Sequence, residues 1–181
     1  DALYLPSSQV GGDFYDFYKL SSSKFAVSIA DVSGKGVPAS LLMALCQTNL
    51  RHYVTKNRTP SEVLKRLNLE LEKRIRDDMF ITLFLAVIDT QANSITYARA
   101  GHEPSLLGKQ TKDGEFVVSK LHGGGMALGM VPPHLFEEMI EDCESSFERN
   151  DMLVLYTDGV TEAANSEKEE FGTHRLSELL A

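Results

Sequence analysis

Two stretches far apart in the chain share one layout. Val27-Ser28-Ile29-Ala30-Asp31 and Val154-Leu155-Tyr156-Thr157-Asp158 each run an apolar segment into an aspartate, with Gly34 three residues on and Gly159 one residue on. A strand end is a rigid mount for a carboxylate, and a nearby glycine lets the backbone turn away without crowding it. Asp13 adds a third acid, directly behind Gly11 and Gly12. Carboxylates gathered in one cleft repel each other, so a cation is their natural counter-charge. An all-oxygen donor set selects hard ions such as Mg2+ or Mn2+ over zinc. Each aspartate taken alone also fits a turn or a helix cap, where Asp is favoured. Only the joint pattern points to a metal site.

Other reactive residues carry weaker signals. His52, His122, His134 and His174 have no ligand spacing, which argues against a zinc site. Gly34-Lys35 invites a phosphate-loop reading, but the upstream glycine is missing and Gly36 stands where Ser or Thr is needed. Thr161 and Glu162 follow Asp158 and could order water beside a metal, or Thr161 could simply cap a helix start. Cys46 and Cys143 are too few for a disulfide framework or a thiolate cluster. Cys46 reads as a small core residue, and a reducing cytoplasm is the simpler setting.

The elements that must carry these acids can be read from periodicity. A short strand is expected at 3–6, then a polar turn, a strand at 14–20, and another at 25–30 that ends on Asp31. Pro38 opens a helix over roughly 38–55, with Leu41, Leu42, Leu45 and Tyr53 as its apolar positions. Thr59-Pro60-Ser61-Glu62 is a capping box with proline at the first helical position. A second helix, 59–76, should bury Val63, Leu67, Leu71 and Ile75. Residues 80–88 and 95–99 flank a polar turn and suggest an antiparallel hairpin, as do 106–107 and 116–118 around Lys112-Asp113-Gly114. An edge strand is expected at 136–140, a short strand at 152–156 and the start of a helix from Gly172. Helices early and hairpins late favour an α+β layered sandwich with two mainly antiparallel sheets.

Composition sets outer bounds. The chain has 181 residues, of which 43% are apolar and 24% charged, the balance of one ordinary globular domain. Its formal net charge of −8 argues against a nucleic-acid surface. No apolar run approaches the roughly 20 residues that cross a bilayer, so no membrane contact is expected. The first residues carry no signal-peptide pattern, and since the chain does not begin with Met a native upstream segment could precede it.

Four blocks carry a family resemblance. Gly11-Gly12-Asp13-Phe14-Tyr15-Asp16, the run from Ala30 to Ala39, Ala100-Gly101-His102-Glu103-Pro104 and the run from Tyr156 to Glu162 resemble, in the same order, the type 2C-like (PPM) protein phosphatases. More narrowly, the chain resembles the bacterial SpoIIE/RsbU branch, over its whole length as one domain. The resemblance implies a four-layer α/β/β/α sandwich holding two ions, Mn2+ or Mg2+, at one edge. Asp31 would bridge both ions, Asp158 would bind one directly, the Val32 carbonyl would serve the second, and Asp13 would act beside them through water. Asp13, Asp31 and Asp158 are thus the expected catalytic acids, with a hydroxide between the ions attacking phosphorus in line. The family closes with an Asp-Asp-x-Thr block in a late strand that residues 1–181 do not contain, so a domain cut short at that side is expected. Ser33 stands where the eukaryotic branch has His. Ser33 could hydrogen-bond a phosphate oxygen or shape the turn, with the turn favoured; the general acid is left unassigned, and His102, a landmark of the family, is read first as fixing its loop by hydrogen bonds.

By resemblance, the substrate is a phosphorylated STAS-type anti-anti-sigma regulator. An upstream sensor domain would act through the early helices, and a homodimer is left open. Two other readings stand beside it. One is a catalytically silent phosphatase-like docking module; the other is a different oxygen-ligand metalloenzyme such as a nucleotide hydrolase.

Overall fold

The computed structural model describes residues 1–6, 11–76 and 78–181. The polar turn expected after Pro6 falls in 7–10, outside the described residues, as does Asp77. The chain begins with strands β1 (Phe14–Lys19) and β2 (Lys24–Val32), then helices α1 (Val37–Val54) and α2 (Pro60–Leu71). Next come β3 (Ile81–Asp89), β4 (Ser94–Ala100), β5 (Leu106–Gln110) and β6 (Phe116–Lys120). Helix α3 (Pro133–Met139), β7 (Cys143–Ser146), β8 (Met152–Val154), α4 (Asp158–Thr161) and α5 (Gly172–Leu180) complete the order.

Two antiparallel sheets stack face to face. The first runs β1-β2-β3-β4-β7 and the second β6-β5-β8. Alternation in the central strands feeds two cores. Ala26, Ala30 and Val32 of β2 join Leu83 and Leu85 of β3 under α1 and α2, while Val27, Ile29, Phe84 and Ala86 meet Leu107 between the sheets. Strands buried on both faces read as continuous apolar runs, which is why β2 and β3 stood out in the sequence. Helix α5 lies against β6 on the far side. The result is the α/β/β/α sandwich.

Sheet sizes differ, and the difference is visible at the surface. Tyr15 and Phe17 of β1 pair with Ile29 and Val27 and share their face, yet are 41% and 64% exposed. Three strands cannot cover the inner face of five.

Several expectations need correction. Residues 3–6 form no strand: Leu3 and Leu5 are exposed and pair with no neighbour among the described residues. Residues 136–140 are not an edge strand but the second half of α3, because Pro133 at the first helical position sets the turn and Phe136 anchors it in the core. Leu41 is 67% exposed, since the buried stripe of α1 runs through Ala39, Leu42, Cys46, Leu50 and Val54. Helix α2 ends at Leu71, and Ile75 packs instead from the following turn. Strand β8 stops at Val154, short of Tyr156. Strand β7 was not foreseen, because Cys-Glu-Ser-Ser lacks the β-branched signature; it pairs with β4 from Ser94 opposite Ser146 to Tyr97 opposite Cys143. Cys46 is buried in the core as expected. Among the described residues no helix is long and apolar enough to cross a membrane.

The capping box at α2 is real. Glu62 N donates to Thr59 Oγ1 at 3.4 Å and Thr59 N donates to Glu62 Oε2 at 3.0 Å. Asp142 then clips the same end, accepting from Ser61 N at 2.7 Å and Ser61 Oγ at 2.8 Å. Replacing Thr59→Ala should lower stability by about 1 kcal/mol in urea unfolding, with no change in the acidic cleft described next.

Candidate metal centre

Sheet register brings the first two acids together. Phe14 pairs with Ala30, so one step further Asp13 comes opposite Asp31, and Gly12 opposite Val32. A Cβ on Gly12 would stand 2.9 Å from the Val32 carbonyl oxygen, closer than side chains tolerate. Glycine is therefore required for the backbone before Asp13 to lie against Val32. The third acid arrives from the other sheet. After β8 the chain passes through Tyr156 and Thr157, and Asp158 opens α4. Thr157 Oγ1 donates to Asp13 Oδ2 at 3.0 Å, a link between the two sheets. Asp13, Asp31, Val32 and Asp158 all line one cavity of about 670 Å³. The structure thus brings every predicted site residue to the same place.

Electrostatics in this cavity are unfavourable for bare carboxylates. Burial, then the adjoining carboxyl of Asp13, and more weakly the charges of Asp158 and Glu162, push Asp31 up to about 7. Among the described residues, the side chains do not close into a preformed cage of three donors.

Neighbouring residues show their roles in hydrogen bonds. Ser33 pins the turn after β2: Phe80 N donates to Ser33 Oγ at 2.7 Å, and Ser33 N donates to Phe80 O at 2.9 Å. His102 is 2% exposed and uses both ring nitrogens. Nε2 lies 3.1 Å from the Tyr156 carbonyl, which can only accept, so Nε2 carries the proton. Nδ1 then accepts from Thr82 Oγ1 at 2.9 Å, and Thr82 is the residue paired with Asp31. This buried link joins the strand beneath Asp31 to the segment that delivers Asp158. Burial holds the imidazole down at about 4, so the ring is neutral in its bridge. The reading of Thr161 as a helix-start cap is corrected: α4 begins at Asp158, and Thr161 closes it by donating to the Asp158 carbonyl at 3.3 Å.

Sequence reasoning missed Thr82, Thr157 and Glu103, which lines the same cavity. Thr157 could have been noticed beside Asp158. Thr82 could not, because its importance depends on the register between β2 and β3.

Two outcomes follow for the metal-free protein. The folded-state value of Asp31 lies above its unfolded value near 3.8, so its contribution to stability is present in acid and is lost as pH rises through about 7. In EDTA, thermal melts should show Asp31→Asn more stable than the parent at pH 8, and the gap closing by pH 4. His102 should stay neutral with the proton on Nε2 from pH 8 to 5 in nitrogen-detected NMR, and a ring titrating near 6.5 would refute the buried bridge.

The family model described as Stage II sporulation protein E (SpoIIE) matches residues 21–181. The phosphoserine phosphatase RsbU of Bacillus subtilis (strain 168) is 37% identical over 161 residues, covering 89% of this chain and 46% of that protein. Protein IcfG of Synechocystis is 31% identical over 207 residues, covering 99% of this chain and 31% of that protein. The chain therefore spans less than half the length of these relatives. Among solved structures, the SiaA-PP2C domain of Pseudomonas aeruginosa superposes with a TM-score of 0.81 at 24% identity, over 98% of this chain and 68% of that one. The PP2C phosphatase domain of SpoIIE from Bacillus subtilis, with a fragment of its regulatory domain, gives 0.72 at 24% identity, over 86% and 43%. At that identity the superpositions speak for the fold, and the two-sheet sandwich is theirs too. With the family model spanning most of the chain, this protein belongs to the SpoIIE family.

Proposed function

We propose that residues 1–181 form one SpoIIE/RsbU-like phosphatase domain that hydrolyses phosphoserine or phosphothreonine on a regulatory protein. The observation that carries this reading is the convergence of Asp13, Asp31 and Asp158, from two different sheets, on one cavity. Two relatives named phosphoserine phosphatase, RsbU and RsbP, support the phosphoserine specificity. The substrate class proposed is a small phosphorylated STAS-type regulator in the cytoplasm, with a sensor domain elsewhere in the full-length protein setting activity.

The donor set fits hard divalent cations. Three carboxylates and a backbone carbonyl supply oxygen alone, and the crowding that raises Asp31 is what a cation relieves. In this reading Asp31, Asp158 and the Val32 carbonyl would hold the cations, with Asp13 beside them. When bound, Mn2+ or Mg2+ supplies Lewis acidity at a phosphoryl oxygen and lowers the pKa of water. The chain's own residues do the positioning. Thr157 orients Asp13, Ser33 fixes the turn that presents Val32, and His102 sets the spacing between the strands that deliver Asp31 and Asp158. With Nδ1 and Nε2 taken up by Thr82 and Tyr156, His102 serves in this reading as a positioning residue.

The test is phosphate release from a phosphoserine peptide with Mn2+ or Mg2+. Turnover should require the cation, stop with EDTA and fall at least about 100-fold in Asp31→Asn. Undiminished turnover in that variant would sink the assignment. A preference for free nucleotides would favour a nucleotide hydrolase, and phosphoprotein binding without turnover would favour a silent docking module.

A further inference from the structure

We infer that Lys35 is the substrate-recognition residue of this cleft, a cation that binds the phosphoryl oxygens of the incoming ester; this rests on the phosphatase reading above. Five carboxylates line the cavity, those of Asp13, Asp31, Glu103, Asp158 and Glu162. Among the described residues that line it, Lys35 is the sole lysine or arginine. Bound cations would neutralise the three aspartates, but Glu103 and Glu162, both exposed, line the same cavity. A phosphate monoester is itself an anion. It needs a positive group at the mouth to offset those two charges.

Lys35 is free for that task. Despite its acidic surroundings it joins none of the ion pairs among the described residues. Helix α1, which follows it, has no acidic residue in its first turn to compete for the ammonium. The flanking residues explain the freedom. Gly34 and Gly36 take φ of 92° and 76°, the left-handed region that favours glycine, and a Cβ at either would meet nothing within 4 Å. Both glycines thus face open space, and the lysine between them is exposed. An exposed pair with a fixed carboxylate would gain little against the entropy of holding the long side chain. A phosphoryl group, with several charged oxygens, offers a swinging ammonium a better partner. Only Val32, Ser33 and Gly34 separate Lys35 from Asp31, so recognition and chemistry share one strand end.

The experiment compares the parent with Lys35→Met and Lys35→Arg, using Mn2+, a phosphoserine peptide and p-nitrophenyl phosphate. Lys35→Met should raise KM for both substrates, and Ki for inorganic phosphate, by roughly tenfold, with kcat changed far less. Lys35→Arg should recover most of the loss, and both variants should melt with the parent. Unchanged KM and Ki in an active parent would overturn the inference. A KM rise confined to the peptide would overturn it too, by placing Lys35 against the polypeptide. If the parent releases phosphate from neither substrate, the phosphatase reading itself fails. Calorimetry of inorganic phosphate on the Mn2+-loaded protein then still decides Lys35: weaker binding in Lys35→Met supports the inference, and equal binding ends it.

Discussion

Carboxylates forced into one cavity are the constraint around which this fold is built. Asp13 and Asp31 lie opposite each other because β1 and β2 pair in a register that allows nothing else. Moving β1 by one residue would turn Phe14 and Tyr18 out of the core, so hydrophobic burial locks the two acids side by side. Their repulsion is met by backbone pairing and by a packed interior on both faces of β2. An acid site of this kind cannot be mounted on a loose loop, because the loop would relax until the charges separated.

The second requirement is that Asp158, from the other sheet, stay in reach. Sheets that touch only through apolar side chains can slide, and directional bonds at the ends of the interface limit that motion. At the cleft end, His102 spans from Thr82 to Tyr156, and Thr157 reaches Asp13. At the other end, Lys109 of β5 donates to Ser146 O of β7 at 2.6 Å and pairs with Asp151 at 2.8 Å. Between these ties lies the apolar layer of Val27, Ile29, Phe84 and Leu107. Burying a neutral imidazole with both nitrogens bonded costs little, whereas a charged ring there would pay the full desolvation penalty. That is why His102 suits the bridge.

Much of this was legible in the residues themselves. The three aspartates, the two helices and the hairpins announced themselves through end-of-strand position, the capping box at Thr59 and turn chemistry around Asn93 and Gly114. What stayed hidden was set by tertiary context. Strand β7 exists because β4 offers an edge, not because Cys-Glu-Ser-Ser favours extension. Phe136 to Ile140 alternates well enough for a strand, yet the two prolines before it dictate a helix. Leu41 looked like core because a leucine pair is ambiguous by one residue, and only the full stripe from Ala39 to Val54 resolves which member turns inward. Thr82 and Thr157 matter through partners 20 and 144 residues away, a distance no local pattern spans.

Helix α1 is not a passive cover over this arrangement. Ser40 in its first turns has the Gly11 carbonyl at 3.0 Å and the Gly36 carbonyl at 3.1 Å, two acceptors for its one hydroxyl proton, so it bridges the segment before Asp13 and the turn after Asp31. Farther along, Arg51 and Gln47 hold Asp16 at 2.6 and 3.5 Å, on the strand that Asp13 leads into. Ala39 is fully buried where Gly12 packs, with a Gly12 Cβ placed only 3.6 Å from its own. Interiors packed this closely have discrete arrangements instead of continuous play. With the Ser40 bond intact, a displacement of α1 would carry Gly11 and Gly12 with it, and Asp13 follows them directly in the chain.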